Sequence, residues 1–135
     1  MTTEQDTFGS EAITRGVRVE VSAFFDPHRS DPAQGLWFFL YTVTISNESE
    51  EVVQLTDRHW IITDQSGRVE EVQGPGVVGE QPILAPGESF EYTSGCPLRT
   101  PTGRMRGSYR MVAAEDDSFD AEIAEFLLSE PLPVN

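Results

Sequence analysis

Arg104-Met105-Arg106-Gly107-Ser108-Tyr109-Arg110-Met111-Val112-Ala113 is followed, across Ala114-Glu115-Asp116-Asp117-Ser118, by Phe119-Asp120-Ala121-Glu122-Ile123. In an extended chain Met105, Gly107, Tyr109, Met111 and Ala113 share one face, and Arg104, Arg106, Ser108 and Arg110 the other. In the second run Phe119, Ala121 and Ile123 oppose Asp120 and Glu122. This period of two is the mark of β-strands with one buried face. The two apolar faces meet only across an odd-length loop, because a one-residue slip inverts every side chain. A three-residue loop over Glu115-Asp116-Asp117 sets Met111 against Ala121, Tyr109 against Ile123 and Arg110 against Glu122. The last pair is expected to be a cross-strand ion pair worth at most about 1 kcal/mol if exposed.

The same alternation recurs upstream. Val17, Val19, Val21, Ala23 and Phe25 share one face of a strand beginning near Arg15. Leu36 to Asn47 is apolar on both faces at its start (Trp37, Phe38, Phe39, Leu40), the composition of a central strand. Val52 to Leu55 and Arg58 to Thr63 read as two further strands. Asp64-Gln65-Ser66-Gly67 reads as a type I turn closing a hairpin on a left-handed glycine, with Arg68 to Gln73 as the return strand. Gly74 to Pro86 reads as a long connection with a short extended piece inside. Glu88 to Ser94 is a strand, and Gly95 to Gly103 a loop. Ala121 to Leu128 has some helical propensity, but the hairpin before it favours strand. Seven to nine short strands with no amphipathic helix point to an antiparallel sandwich or barrel.

The 135 residues suffice for one domain, with 38% apolar residues to build a core. The expected boundaries are a flexible tail over 1–14, a β domain over 15–128 and a C-terminal tail over 129–135. Acidic residues number 23 against 9 basic ones, all arginine, for a net charge of -14. That field repels phosphate backbones and anionic headgroups, so no nucleic-acid partner is expected. The longest apolar run, Leu36 to Tyr41, is six residues, so no membrane insertion is expected and transport by this chain alone is excluded. The acidic start Met1-Thr2-Thr3-Glu4 does not look like a secretory signal. With one cysteine, Cys96, a cytoplasmic location is the simplest expectation.

Gly74-Pro75-Gly76-Val77-Val78-Gly79 matches GxGxxG, whose glycines in a dinucleotide fold open a helix that cradles a pyrophosphate. Pro82 follows three residues after Gly79 and no amphipathic helix is signalled, so a sharp loop between strands is expected instead. An anion nest of backbone N–H groups at Gly74, Gly76 and Gly79, assisted by Arg58 and Arg68, is the alternative, with a phosphate-containing ligand as occupant. His28, His59, Cys96 and the carboxylates fall in no metal-ligand spacing, so no metal site or cofactor is expected; weak attraction of divalent cations by the acidic surface is expected, and direct cobalt or magnesium binding by carboxylates or His59 is a third alternative. There is no GxSxG elbow and few candidate bases, so catalysis is not expected.

Asp57-Arg58-His59-Trp60-Ile61-Ile62-Thr63-Asp64, Gly67-Arg68-Val69-Glu70-Glu71-Val72, the GPGVVGEQP stretch from Gly74 to Pro82, and Pro86-Gly87-Glu88-Ser89-Phe90-Glu91-Tyr92-Thr93-Ser94-Gly95-Cys96-Pro97-Leu98 together closely resemble the ApaG family. Thr100-Pro101 and Met105-Arg106-Gly107-Ser108-Tyr109 continue the likeness, which runs from about Val17 to Leu128. The family is also found as a terminal domain in some F-box proteins. The resemblance implies an immunoglobulin or fibronectin-III-like β-sandwich. It further implies a non-catalytic module linked in bacteria to cobalt and magnesium efflux, and a recognition role within larger eukaryotic proteins. The GxGxxG loop is a family feature from which nucleotide binding has been suggested. A protein partner is the leading expectation, and exposed sheet edges leave a sheet-extended homo-oligomer open.

Overall fold

The computed structural model describes residues 8–130. Nine strands form two antiparallel sheets: β1 (Phe8–Thr14), β2 (Val17–Phe25), β3 (Trp37–Asn47), β4 (Val53–Asp64), β5 (Val69–Pro75), β6 (Ile83–Leu84), β7 (Ser89–Leu98), β8 (Thr102–Ala114) and β9 (Asp117–Ser129). One sheet runs β1-β2-β3-β7 and the other β5-β4-β8-β9, with β6 also paired to β4. The expected all-β, immunoglobulin-like sandwich is what the chain adopts. Two 3-10 turns, Pro27–Arg29 and Pro32–Gln34, are the only helical segments among the described residues, and none is long and apolar enough to cross a membrane.

Alternation builds the interior. Val17, Val19, Val21 and Ala23 of β2 and Phe39, Tyr41, Val43 and Ile45 of β3 face Leu55, Trp60, Met105, Tyr109, Met111, Ala121 and Ile123 of the second sheet, all buried. Trp60 anchors this layer, with edge-on contacts to Tyr41 at 5.2 Å and Phe126 at 6.0 Å. The chain's three tyrosines, Tyr41, Tyr92 and Tyr109, all point inward, and the Tyr92 and Tyr109 hydroxyls hydrogen-bond to each other.

Four expectations are corrected. Residues 8–14 of the supposed tail form β1, paired to β2 from Phe8↔Ala23 to Thr14↔Val17. The connecting Arg15 (φ 50) and Gly16 (φ 83) are both left-handed, the two-residue turn whose twist suits a hairpin. β1 is only half-buried, so its alternation is faint in the sequence; it is held to β9 by Ser10 Oγ donating to the Ala124 carbonyl (2.6 Å) and Glu122 N donating to Thr14 Oγ1 (3.0 Å). Residues 1–7 and 131–135 of the expected tails lie outside the described residues, and β9 runs to Ser129.

The two strands expected over 52–63 are one, β4, with a register break between Leu55 and Asp57. Thr56 is the extra residue, and its carbonyl instead accepts from Gly76 N at 2.8 Å and Gln81 Nε2 at 2.9 Å. β7 continues through Leu98, where a loop from Gly95 was expected. The Phe38 ring occupies the place of a Gly95 side chain, and Pro97 sits on an edge strand, where a missing donor costs nothing.

In the β8–β9 hairpin Met111 faces Phe119, Tyr109 faces Ala121, and Arg110 pairs with Asp120 (Nε to Oδ1, 2.9 Å), not with Glu122. The turn holds only Glu115 and Asp116, with Asp116 at φ 60, and Ala113 is bulged out of the ladder. The displacement is two residues, so the apolar faces still meet. The Asp64–Gly67 turn is as expected: Gly67 is left-handed (φ 91) and donates to the Asp64 carbonyl at 3.0 Å.

Asn47, fully buried at the end of β3, joins three loops. Its Nδ2 donates to the carbonyls of Glu51 (2.7 Å) and Leu84 (2.9 Å), while Oδ1 accepts from Ser49 N (3.0 Å) and Ser49 Oγ (2.6 Å). Its backbone N–H donates to Glu88 O and its carbonyl accepts from Gly87 N. Asn47→Ala should lower the unfolding free energy by about 3 kcal/mol, because several buried groups lose partners at once. Asn47→Asp should be no milder, since it turns an oxygen toward two carbonyls. Urea unfolding checks both, and a loss under about 1 kcal/mol would contradict the hub role.

Burial pushes the Cys96 thiol up to about 12 and raises the Tyr92 and Tyr109 hydroxyls well above their ordinary value. Above pH ~9 the unfolded chain loses the thiol proton while the native one keeps it, so native stability falls as pH rises. Cys96→Ala should make that decline shallower by about 1.4 kcal/mol per pH unit between pH 9 and the tyrosine range. Urea midpoints at several alkaline pH values test this, and equal slopes would contradict it.

Candidate functional site

The GPGVVG stretch leaves β5 and re-enters the sheet at β6, so both ends of the loop are fixed by β4. Gly76 is left-handed (φ 64), its N–H donates to Thr56 O, and a Cβ there would lie 2.3 Å from the Glu80 carbonyl oxygen, so only glycine fits. Val77 and Glu80 exchange both backbone hydrogen bonds at 2.8 Å. Val78 (φ 41) and Gly79 (φ 81) form the two-residue tip between them, the left-handed pair of a type I′ turn. Val77 is buried, whereas Val78 is 57% exposed. Downstream, Leu55 N donates to Pro82 O (3.0 Å) and Gln54 Nε2 to Gln81 O (3.1 Å).

Arg58 clamps the other side. Its Nη1 donates to the carbonyls of Pro75 (3.0 Å) and Gly76 (2.9 Å), and the guanidinium lies over Gly74, where an added Cβ would sit 3.2 Å from Nη2. Register explains the meeting: Arg58 is paired with Gly74 on β5 and with Tyr109 on β8. Thus Arg58, Gly74, Gly76 and Gly79 are brought into one loop structure. Its N–H groups at Gly76, Val77 and Glu80 all donate to carbonyls of the protein itself. No α-helix follows Gly79 among the described residues.

Arg68 is not part of this assembly. It precedes β5, six residues before Gly74, about 20 Å away along an extended strand. There it lines a separate crevice with Arg99, Leu36, Ile62 and Val69.

His59 lies on the outer face of β4, its Nε2 2.8 Å from Glu71 Oε1, above a shallow groove of about 430 Å³ shared with Asp57, Gln73, Ser108, Arg110 and Asp120. Among the described residues no three His, Cys, Asp or Glu side chains converge in a way that would hold a metal ion. His28 is an exposed residue of the first 3-10 turn. In the acidic runs Glu48 pairs with Arg18 (2.9 Å) and Asp117 with Arg15 (3.0 Å).

Two features were not anticipated. Val78 occupies a left-handed position at which a β-branched residue is an outlier, and the signal was there to read: a Val-Gly pair stands where a tight hairpin favours Asn-Gly. The convergence of Arg68 and Arg99 is a product of tertiary structure, with no local sequence signal.

A family model described as the ApaG domain matches residues 27–113. The Protein ApaG of Beijerinckia indica is 57% identical over 119 residues, 88% of this chain and 92% of that protein. The Protein ApaG of Methylocella silvestris is 57% identical over 120 residues, covering 89% and 92%. A crystal structure of the putative ApaA protein from Bordetella pertussis superposes with a TM-score of 0.83 at 54% identity, covering 85% of this chain and 94% of that one. A self-bonded GPGVVG loop on a nine-strand sandwich and matches of this extent lead to one assignment: the chain belongs to the ApaG family.

Proposed function

We propose that this chain is a non-catalytic binding module whose contact surface is the tip of the glycine loop, and that its bearing on cobalt and magnesium efflux or divalent-cation homeostasis runs through a protein partner docked there. The observation that carries this reading is Val78. A β-branched residue held at φ 41 costs about 1–2 kcal/mol, and here it is held with its side chain 57% exposed. Folding gains nothing from that arrangement, whereas an interface gains an apolar contact presented on a rigid turn. Ile83 on β6 (62% exposed) and Val52 just before β4 (49% exposed) add apolar surface on the strands flanking the same loop.

The second reading, a phosphate-containing ligand cradled by Gly74, Gly76 and Gly79 with Arg58, has less support. Such a cradle uses free backbone donors, and those of Gly76, Val77 and Glu80 are bonded within the protein, as is Arg58 Nη1. The link to cation efflux rests on the family resemblance and on no donor set of this chain.

Val78→Asn separates display from stability, because Asn tolerates the left-handed region. The variant should be more stable by about 1 kcal/mol in urea unfolding and should lose the protein that the unsubstituted chain retains in affinity capture from its host. Retention of the same partner by the variant, or a loss of stability, would contradict the reading.

A further inference from the structure

The crevice that holds Arg68 lies where four strand ends meet: β3 begins at Trp37, β4 ends at Asp64, β5 begins at Val69 and β7 ends at Leu98. β7 and β5 are the outer strands of their sheets, and among the described residues no side-chain hydrogen bond joins them as Ser10 and Thr14 join β1 to β9 at the other margin. The space is about 690 Å³, within the roughly 300–1,000 Å³ typical of small-molecule sites. Leu98 is buried in its wall, Leu36 and Ile62 are half-buried, and Val69 is 57% exposed.

Its charges are unusual for this chain. Five of the nine arginines make ion pairs (Arg15, Arg18, Arg29, Arg104 and Arg110), and Arg58 is bonded to two carbonyls. Among the described residues the other three guanidiniums have no ion pair or hydrogen bond, although the chain carries 23 carboxylates; Arg106 lies alone and exposed on β8, apart from Arg68 and Arg99. Both line this one crevice. Asp64, also in the lining, turns Oδ1 into its own hairpin, where it accepts from Ser66 N (2.9 Å), Ser66 Oγ (2.7 Å) and Arg68 N (3.1 Å). Asp64 and Glu70 contribute two opposing charges, and the Ser66 hydroxyl, helped by Arg68, holds the Asp64 carboxyl below its ordinary range, so recognition would rest on the guanidinium forks and the apolar wall together, not on net charge.

From this pairing we infer a binding site for a small amphipathic anion, with an apolar body against Leu36, Ile62, Val69 and Leu98 and a carboxylate or phosphate head on Arg68 and Arg99. Guanidinium is the side chain best matched to both head groups, since its planar donors meet two oxygens at once. The site is separate from the loop tip, and Val78→Asn should leave it unchanged.

The test is a titration of the full ¹⁵N-labelled chain with decanoate and, in a second arm, decyl phosphate, both below micelle formation. Decanol and inorganic phosphate serve as controls. Saturable amide shifts should cluster at Gln34 to Leu36, Arg68 to Glu70 and Leu98 to Arg99. Affinity should fall about tenfold or more in Arg68→Gln/Arg99→Gln and stay unchanged in Arg106→Gln, with far-UV circular dichroism showing each variant folded. The stronger of the two arms identifies the head group. Silence at these amides in both arms would overturn the proposal. So would decanol binding as well as decanoate, because the arginines would then be idle, or inorganic phosphate matching decyl phosphate, because the apolar wall would then be idle.

Discussion

One buried amide sets the frame from which the loops of this sandwich hang. Asn47 ends the central strand β3 with no exposed surface and is bonded to the turn that follows it, to β6 through Leu84 O and to the 85–88 turn. A buried amide with both donors and its acceptor in use is a strong constraint, because displacing any of these loops strands a polar group away from water. Fixing Leu84 fixes β6, and β6 is the far anchor of the glycine loop. The near anchor is Arg58, reaching from β4 to the carbonyls of Pro75 and Gly76. The loop is therefore held at both ends before any ligand or partner arrives.

That arrangement explains why a GxGxxG pattern here does not behave as it does in a dinucleotide fold. There the glycines let backbone N–H groups at a helix start point outward to a pyrophosphate. Here the same residue types make a β-turn whose N–H groups at Gly76, Val77 and Glu80 are bonded to carbonyls of the protein, and the arginine beside it is directed at carbonyl oxygens. Gly76 serves close approach to Glu80, and Gly79 serves left-handed twist. At the tip an apolar side chain, Val78, faces solvent.

Much of this was legible because two-residue periodicity is a local property. The alternation of Val17 to Ala23 and of Met105 to Met111 reported both the strands and their buried faces, and the Asp64 to Gly67 turn was readable from Asp and Gly chemistry alone. Parity in the last hairpin was also legible, because it depends only on which faces are apolar. The absolute register was not, since the bulge at Ala113 is a choice made by the turn. β1 is faint in the sequence because it has no fully buried apolar face: it is paired along its length to β2 and tied by two side-chain hydrogen bonds to β9, more than a hundred residues away. Thr56 joins two apparent strands into one because its carbonyl has partners in the glycine loop. Arg58 and Gly74 lie opposite each other across one hairpin, a proximity that local sequence conveys, whereas Arg68 sits at the other end of that hairpin. Its distant neighbours come from the segment just before β3, Gln34 to Leu36, and from the end of β7, Pro97 and Leu98.

The glycine loop is a platform bonded to the protein through the N–H groups of Gly76, Val77 and Glu80, not a cradle that turns those donors to a ligand. Amide hydrogen exchange of the unliganded chain tests it residue by residue. Gly76, Val77 and Glu80 should exchange at least about a thousandfold more slowly than in an unstructured peptide, in step with the neighbouring amides of β4. Exchange at these three positions as fast as at a solvent-exposed loop would show the donors to be free, and would contradict it.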